Sequence, residues 1–548
     1  MATRPDRGQV QFDVIVLGGG INGSAIARDA AMRGLTVLLV EKDDISSATS
    51  AWNSRLIHGG IRYLEYYEMD LVRESLRERE WLLHAAPHLV KPLPFMMPFL
   101  KGAKRPPVML RAGHVLYDVL SFDKSLPHHR LYKKSKALAK AGIDPARLKG
   151  AALFYDAQVD FAERLSVENM LSAREHGAQV LIHTTANRLV IEGNRVAGVE
   201  YTDQISGWTT TARAKVTVNA TGPWADELLE GLPGHAQSLI GGTKGTHIVV
   251  DPFPGAPQGC AVYFEAKSDG RPVFLIPWRG RYLIGCTDIR YHGDADAARG
   301  DDSEIGYLVS EVNLLIPAAQ LTRESIRFTY CGVRPLAFDP DDNPARITRH
   351  HIVKDHAPDV EGLITIVGGK LTTFRSLGQD AVDKVVKKLG VRKRRSPTRR
   401  ESLPGGRNSD YAAFAESFKS SIDFGDRVAT RLLSIYGVRA PEVLALARQD
   451  RELARVFDEH NGALAAEVVY AIRTEGARTL TDVIMRRTML GLDPDLPIES
   501  VDAAANIMAR HEGWGRGRAA KEVEAYAEYA SRFRLTDVSR KSKAGSAD

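Results

Sequence analysis

Residues 54 to 65 read SRLIHGGIRYLE, and six consecutive positions, His58 to Tyr63, hold a histidine, two glycines, an arginine and a tyrosine. His58, Arg62 and Tyr63 can donate hydrogen bonds or protons, while Gly59 and Gly60 let backbone approach something flat or charged. The stretch reads as the wall of a reaction chamber or as a tight turn ahead of a helix. Three arginines could clamp an anion: Arg62, Arg334 in CGVRPL and Arg349 in ITRHH. A guanidinium is a planar fork that gives two hydrogen bonds at once and keeps its charge; the competing reading of any one of them is a surface ion pair. Proton acceptors are offered by His58, His247 and Lys370, the first two because imidazole titrates near neutrality, the third because burial or neighbouring cations lower a lysine into a useful range.

These groups need elements to hold them. Residues 12 to 40 show an apolar run, a glycine cluster, an alanine-rich stretch and a second apolar run, the order of a strand, turn, helix and strand. Gly18, Gly20 and Gly23 fall in the G-x-G-x-x-G spacing between the first strand and the helix. Gly18 makes the tight turn, Gly20 admits a pyrophosphate, and Gly23 lets helix pack on strand. The phosphates then face the helix N-terminus. Glu41 closes the second strand, where a carboxylate accepts from ribose hydroxyls. Context on both sides lifts the glycine pattern above a chance loop and predicts a dinucleotide site, with FAD and NAD both open. Glycine-rich strand ends return at NATGPWAD (219 to 226) and VGGKLTTF (367 to 374), which suits a long, extended cofactor.

With 548 residues, 44% apolar and 26% charged, the chain is expected to form two to four packed domains rather than a fibre or a disordered chain. A net charge of +6 and the lack of an arginine arm interleaved with aromatics give no case for nucleic acid. Cys260, Cys286 and Cys331 are odd in number and lack metal-ligand spacing, so no disulfide framework and no metal site are expected, and a reducing cytoplasm is the simplest home. The start lacks a secretory apolar stretch, and no run of 18 apolar residues occurs.

Apolar Met69, Val72, Leu76 and Leu83 predict a long amphipathic helix, followed by proline-rich connections at Pro87, Pro92, Pro94 and Pro98. Strands are expected over 180 to 219, with a hairpin at EGNRVAG, and near 246 to 251, 273 to 276 and 282 to 286. A basic, proline-containing linker precedes a helical domain from 409 to 535.

The stretches GGGINGSAIARDAAMRG, SRLIHGGIRYLE, VNATGPWAD, KGTHIVV, CGVRPL and VGGKLTTFR together resemble the FAD-dependent glycerol-3-phosphate dehydrogenases, in order and spacing over roughly residues 10 to 380. DVIMRRTMLGL resembles that family's C-terminal helical cap. Ala25, Arg55 and Phe374 stand where many relatives carry glycine, lysine and tyrosine. The resemblance implies an α/β fold: a Rossmann-like FAD-binding domain (10–65, 155–232, 345–391), an antiparallel-sheet substrate-binding domain (66–154, 233–344), a C-terminal helical domain (400–536), and tails at 1–9 and 541–548. It implies FAD contacts from Gly18, Gly20, Ile21, Asn22, Gly23, Glu41, Lys42, Thr49, Ser50, Ser54, Arg55, His58, Gly59 and Gly60. Further contacts are implied from Ala220, Thr221, Gly222, Trp224, Gly369, Lys370, Leu371 and Thr372.

The implied reaction takes sn-glycerol 3-phosphate to dihydroxyacetone phosphate, with Arg62, Tyr63, Arg334 and Arg349 on the substrate and catalysis shared among Arg334, Lys370, His58, His247, Arg62 and Tyr63. Lys370 is either the base or a cation beside the reduced ring. The implied acceptor is a membrane quinone. Dioxygen, a related polyol phosphate as substrate, and a flavin-retaining regulatory or surface-binding protein without turnover are the alternatives, and a homodimer is one expected assembly. The expected location is the cytoplasmic face of the cell membrane, bound peripherally. Residues 90 to 120 mix Phe95, Met96, Met97, Phe99 and Leu100 with Lys91, Lys101, Lys104, Arg105 and Arg111, a composition that suits shallow insertion among anionic headgroups or a core. The RKRR linker at 392 to 395 is expected to add attraction or to be merely solvated.

Overall fold

A computed structural model describes residues 11–234, 237–339, 349–392 and 394–535. The expected tails, residues 345–348 of the FAD-binding segment, residue 536 and Lys393 lie outside them. The chain opens as β1 (Gln11–Leu17), α1 (Ile21–Met32) and β2 (Val37–Val40). Val14 to Leu17 and Val37 to Val40 are buried on both faces, as continuous apolar runs in a parallel sheet must be. β1 pairs in parallel with β2 and with Thr209–Asn219, which pairs onward with Leu363–Val367. The hairpin Thr184–Glu192 and Arg195–Asp203 joins the same sheet antiparallel. α1 packs between helices Ala162–Glu175 and Phe374–Leu389. Its small side chains permit the close crossing: a Cβ on Gly378 would lie 3.0 Å from the Ala25 carbonyl oxygen.

A second, ten-stranded sheet carries Val90–Leu100, Leu148–Val159, Thr243–Val250, Pro272–Trp278, Arg281–Gly285 and Ile326–Arg334, with antiparallel pairing except between Val90–Leu100 and Ala261–Glu265. The boundary expected at 155 falls inside Leu148–Val159, which pairs along its length in this sheet, and Leu56–Ile57 joins the same strand. The ladder, continuous across position 155, assigns these residues to the second sheet.

The predicted amphipathic helix is α2 (Met69–Ala85). The stretch after it is not a series of connections but the strand Val90–Leu100. Pro92, Pro94 and Pro98 share one parity, so their missing N–H groups all point toward one flank and the ladder on the other flank is untouched. Phe95, Met96, Met97, Phe99 and Leu100 are buried in the core, which removes them from any membrane contact. Beyond the strand lies α3 (Pro107–Leu120). Residues 411 to 531 supply the expected helices, among them Gly425–Tyr436, Ile498–Glu512 and Arg516–Ser531. No helix among the described residues is long and apolar enough to cross a membrane.

Candidate active site

A cavity of about 760 Å³ runs from the glycine-rich strand ends of the first sheet to the inner face of the second. Gly18 has φ +99°, and a Cβ there would lie 2.6 Å from the Ala220 carbonyl oxygen; only glycine fits. A Cβ on Gly23 would lie 1.9 Å from the Gly18 oxygen, so Gly23 serves the helix–strand crossing and does not reach the cavity wall. At the start of α1, the Ile21 N–H donates to Ser50 Oγ at 2.8 Å. Glu41 accepts from the N–H groups of Gly19 at 2.5 Å and Asp43 at 2.9 Å, and burial, opposed by these bonds, pushes its carboxyl up to about 7.

Lys42 Nζ sits 3.8 Å over the Trp224 ring, and Thr49 Oγ1 donates to the Val333 carbonyl at 2.7 Å. Asn22 Nδ2 donates to the Gly368 carbonyl at 3.2 Å while its Oδ1 is buried without a partner. Ala220, Thr221, Gly222, Gly369, Leu371 and Thr372 line the same groove. A cradle that excludes Cβ atoms, an acid at the end of β2 and an orphaned buried acceptor fit an extended dinucleotide, and the residues present fit FAD. Among the described residues no group of His, Cys, Asp or Glu could hold a metal ion.

The other end of the cavity is cationic. Arg334 Nη1 lies 3.0 Å from Asp288 Oδ1, and its Nη2 lies 2.9 Å from Cys286 Sγ. Arg349 Nη2 meets the second Asp288 oxygen at 3.2 Å. The guanidinium of Arg334 fits because residue 245 is glycine: a Cβ there would lie 2.2 Å from Nη2. His247 Nε2 is 2.9 Å from Ser54 Oγ, and its ring stacks on Tyr330 with centroids 4.9 Å apart. Burial, then the charges of Arg334 and Arg55, hold His247 neutral, with proton affinity well below the usual imidazole range.

Lys370 Nζ lies 3.8 Å over the Tyr63 ring and 3.4 Å from Ser75 Oγ. Burial lowers its ammonium to about 7 against the opposing pull of Glu68 and Glu74. His58 is lowered to about 4 by burial, against the pull of Asp156, and its ring meets Phe274 edge-on. The His58 N–H donates to Thr372 Oγ1 at 3.1 Å. Arg62 Nη2 reaches the Tyr66 hydroxyl at 3.2 Å, and burial raises the Tyr63 hydroxyl above its ordinary value. His58, Gly60, Arg62, Tyr63, His247, Arg334, Arg349 and Lys370 thus meet on one cavity.

Besides Gly23, two expected flavin contacts, Arg55 and Gly59, do not line it. Arg55 is fully buried and gives its fork to Glu163 at 2.8 and 2.9 Å, with its guanidinium 4.8 Å from the Trp278 ring centroid; its charge is spent inside the protein. Gly59 donates its N–H to the Tyr117 hydroxyl at 2.9 Å, and a Cβ there would strike that oxygen at 2.4 Å. It serves packing rather than cofactor access.

Sequence reasoning missed Asp288 and Cys286, which meet Arg334, and the buried network in which Arg79 and Tyr117 bind Asp156 at 2.6 and 2.8 Å. The signal available for the first two was GCTDIR, a strand end carrying polar side chains, but it shares no spacing with the arginines it meets.

The FAD dependent oxidoreductase family matches residues 13–375, and the C-terminal domain of alpha-glycerophosphate oxidase matches 396–519. A glycerol-3-phosphate dehydrogenase of Synechocystis sp. is 43% identical, covering 98% of this chain and 99% of that protein. A D-erythritol 1-phosphate dehydrogenase of Brucella abortus is 37% identical over 87% of this chain and 94% of its own. The solved glycerol-3-phosphate dehydrogenase of Bacillus halodurans, complexed with FAD, superposes with a TM-score of 0.78 at 28% identity, covering 96% of this chain and 95% of that one. With matches along both parts of the chain and a cavity built for an extended dinucleotide beside an arginine cluster, the chain belongs to the FAD-dependent glycerol-3-phosphate dehydrogenase family.

Proposed function

We propose that the protein oxidises sn-glycerol 3-phosphate to dihydroxyacetone phosphate and passes the electrons to a membrane quinone. The observation that carries the reading is the convergence of Arg334, Arg349, Arg62, Lys370 and His247 on the cavity that the glycine-rich turns enter. Bound FAD supplies the two-electron acceptor for the hydrogen on the middle carbon of the substrate. The chain supplies the rest. Arg334 and Arg349 hold the phosphate, because paired guanidinium forks match its oxygens, and Arg62 with Tyr63 closes the same end. His247, neutral and beside Arg334, takes the hydroxyl proton at a ring nitrogen. A dianion on Arg334 offsets the charge that depresses His247 and raises its proton affinity as the substrate docks. Lys370, fixed over Tyr63, provides a cation where negative charge develops. Glu41 holds the ribose of the cofactor, and Asn22 Oδ1 offers its free acceptor in the same groove. In this reading the domains follow the two sheets and the C-terminal helices.

Membrane contact is assigned to α3. Val108, Val115 and Val119 lie on one helix face and Phe122 just beyond its end, exposed by 74, 54, 60 and 76%. Exposed Lys101 and Arg111 flank them. Apolar groups with neighbouring cations suit an anionic headgroup layer. α3 packs on the turn Ile61–Tyr66, whose Ile61, Arg62 and Tyr63 line the cavity, so this surface adjoins the reaction chamber.

The test is anaerobic: FAD bound to the purified protein bleaches on adding sn-glycerol 3-phosphate, and a quinone analogue restores the colour faster than air does. Absence of bleaching would sink the activity; faster recovery in air would replace the quinone by dioxygen. D-erythritol 1-phosphate in the same assay measures the preference between polyol phosphates.

A further inference from the structure

Asp288 joins Arg334 and Arg349 through one carboxylate, and it lines the same cavity. Its two oxygens are divided, Oδ1 to Arg334 at 3.0 Å and Oδ2 to Arg349 at 3.2 Å. The two arginines come from different places: Arg334 ends the strand Ile326–Arg334, while Arg349 lies in the chain ahead of Ile352–Asp355. Asp288 itself follows Arg281–Gly285, and its carbonyl accepts from Arg271 Nη1. The seat of Arg334 is otherwise made of weak or neutral acceptors: Thr243 Oγ1 at 3.4 Å, the Thr287 carbonyl at 3.3 Å and Cys286 Sγ. None of these fixes the spacing between the two guanidinium groups.

We infer that Asp288 is a positioning residue, a carboxylate that holds Arg334 and Arg349 at the separation a phosphate monoester needs. This rests on the assignment of those arginines to the phosphate. The carboxylate does not touch the reacting carbon. Its effect is on capture of the anion, because long guanidinium side chains without a shared anchor lose entropy when a ligand orders them. Burial raises the Asp288 carboxyl, but the charges of Arg334 and Arg349 outweigh it and keep the group ionised.

The test is Asp288→Asn, with Asp288→Glu beside it. In anaerobic bleaching of the FAD-loaded enzyme, Asp288→Asn is expected to raise the half-saturating concentration of sn-glycerol 3-phosphate by about tenfold or more. The limiting rate should stay within about threefold. Competition by inorganic phosphate should weaken in parallel, and Asp288→Glu should restore part of both. FAD content checks that the variants fold; where Asp288→Asn fails to fold, Asp288→Glu carries the same comparison, and full wild-type behaviour there overturns the assignment. Unchanged or tighter half-saturation in Asp288→Asn overturns it too, as does loss of the limiting rate alone.

A second readout is independent of turnover. Inorganic phosphate should raise the thermal midpoint of the wild type and not that of Asp288→Asn, and an equal rise in both overturns the inference. A wild type that never bleaches with the substrate removes the proposed activity, and the phosphate arm still decides the role of Asp288.

Discussion

Two sets of arginines can be compared. In the first, Arg487 and Arg486 bind Asp44 at 2.8 and 2.6 Å, and Arg164 binds Glu475 at 2.6 Å, all with side chains at most 5% exposed. These pairs fasten the C-terminal helices to the turn after β2 and to the helix Ala162–Glu175. Arg486 is further matched by Asp482 at 3.0 Å. In the second set, Arg334 and Arg349 share Asp288 at 16 to 29% exposure on a cavity wall, and Arg334 spends other donors on a thiol and a carbonyl. Dry, charge-matched pairs are fasteners, since removing one partner strands a buried charge. Arginines with weak acceptors, open to a cavity, can exchange them for a ligand. Arg55 shows how the two classes are confused: it sits in the richest motif of the chain and is a fastener.

The comparison breaks or sharpens under substitution. Asp44→Ala should cost about 3–5 kcal/mol of stability by denaturant melting, with the fraction that stays folded keeping its half-saturation for substrate; a change in substrate affinity without a stability loss would merge the two classes. Arg334→Ala should do the reverse, lowering kcat/KM by about 2–5 kcal/mol with FAD content and melting intact. Retained turnover at low substrate would remove the phosphate clamp.

Lys370 supplies a pH test of the cationic end. Its folded value of about 7 lies below the ordinary lysine value of 10.5, so between these the unfolded chain binds more protons. Stability of the flavin-free protein should therefore rise with pH across that window and be lowest below it, and Lys370→Met should flatten this difference; identical pH profiles would show that Lys370 is not held in a desolvated place. The smallest effect concerns α3: Val115→Glu with Val119→Glu should weaken binding to vesicles containing anionic phospholipid roughly tenfold, while turnover with a soluble acceptor stays constant. Unaltered vesicle binding would move the membrane contact elsewhere.

Much of the first sheet was legible, because a β-turn-helix-β unit writes its glycines and its acid within some thirty residues. Gly18, Gly20 and Glu41 lie where their spacing places them. The strand Val90–Leu100 was not legible, because its prolines argue against a strand until their common parity is set against partners 53 to 65 residues away. Asp288 escaped for the same reason: its partners are 46 and 61 residues distant.

Local order therefore determined the dinucleotide turn, the amphipathic α2, the hairpin at Gly193 and the residue types able to hold an anion and take a proton. Tertiary structure alone decided which arginines face the cavity and which are buried against carboxylates. It also decided that Phe95 to Leu100 are core while the valines of α3 face outward. The reason is physical: backbone preferences and hydrophobic periods act over a few residues, whereas the partner that neutralises a charge is chosen by packing between segments remote along the chain.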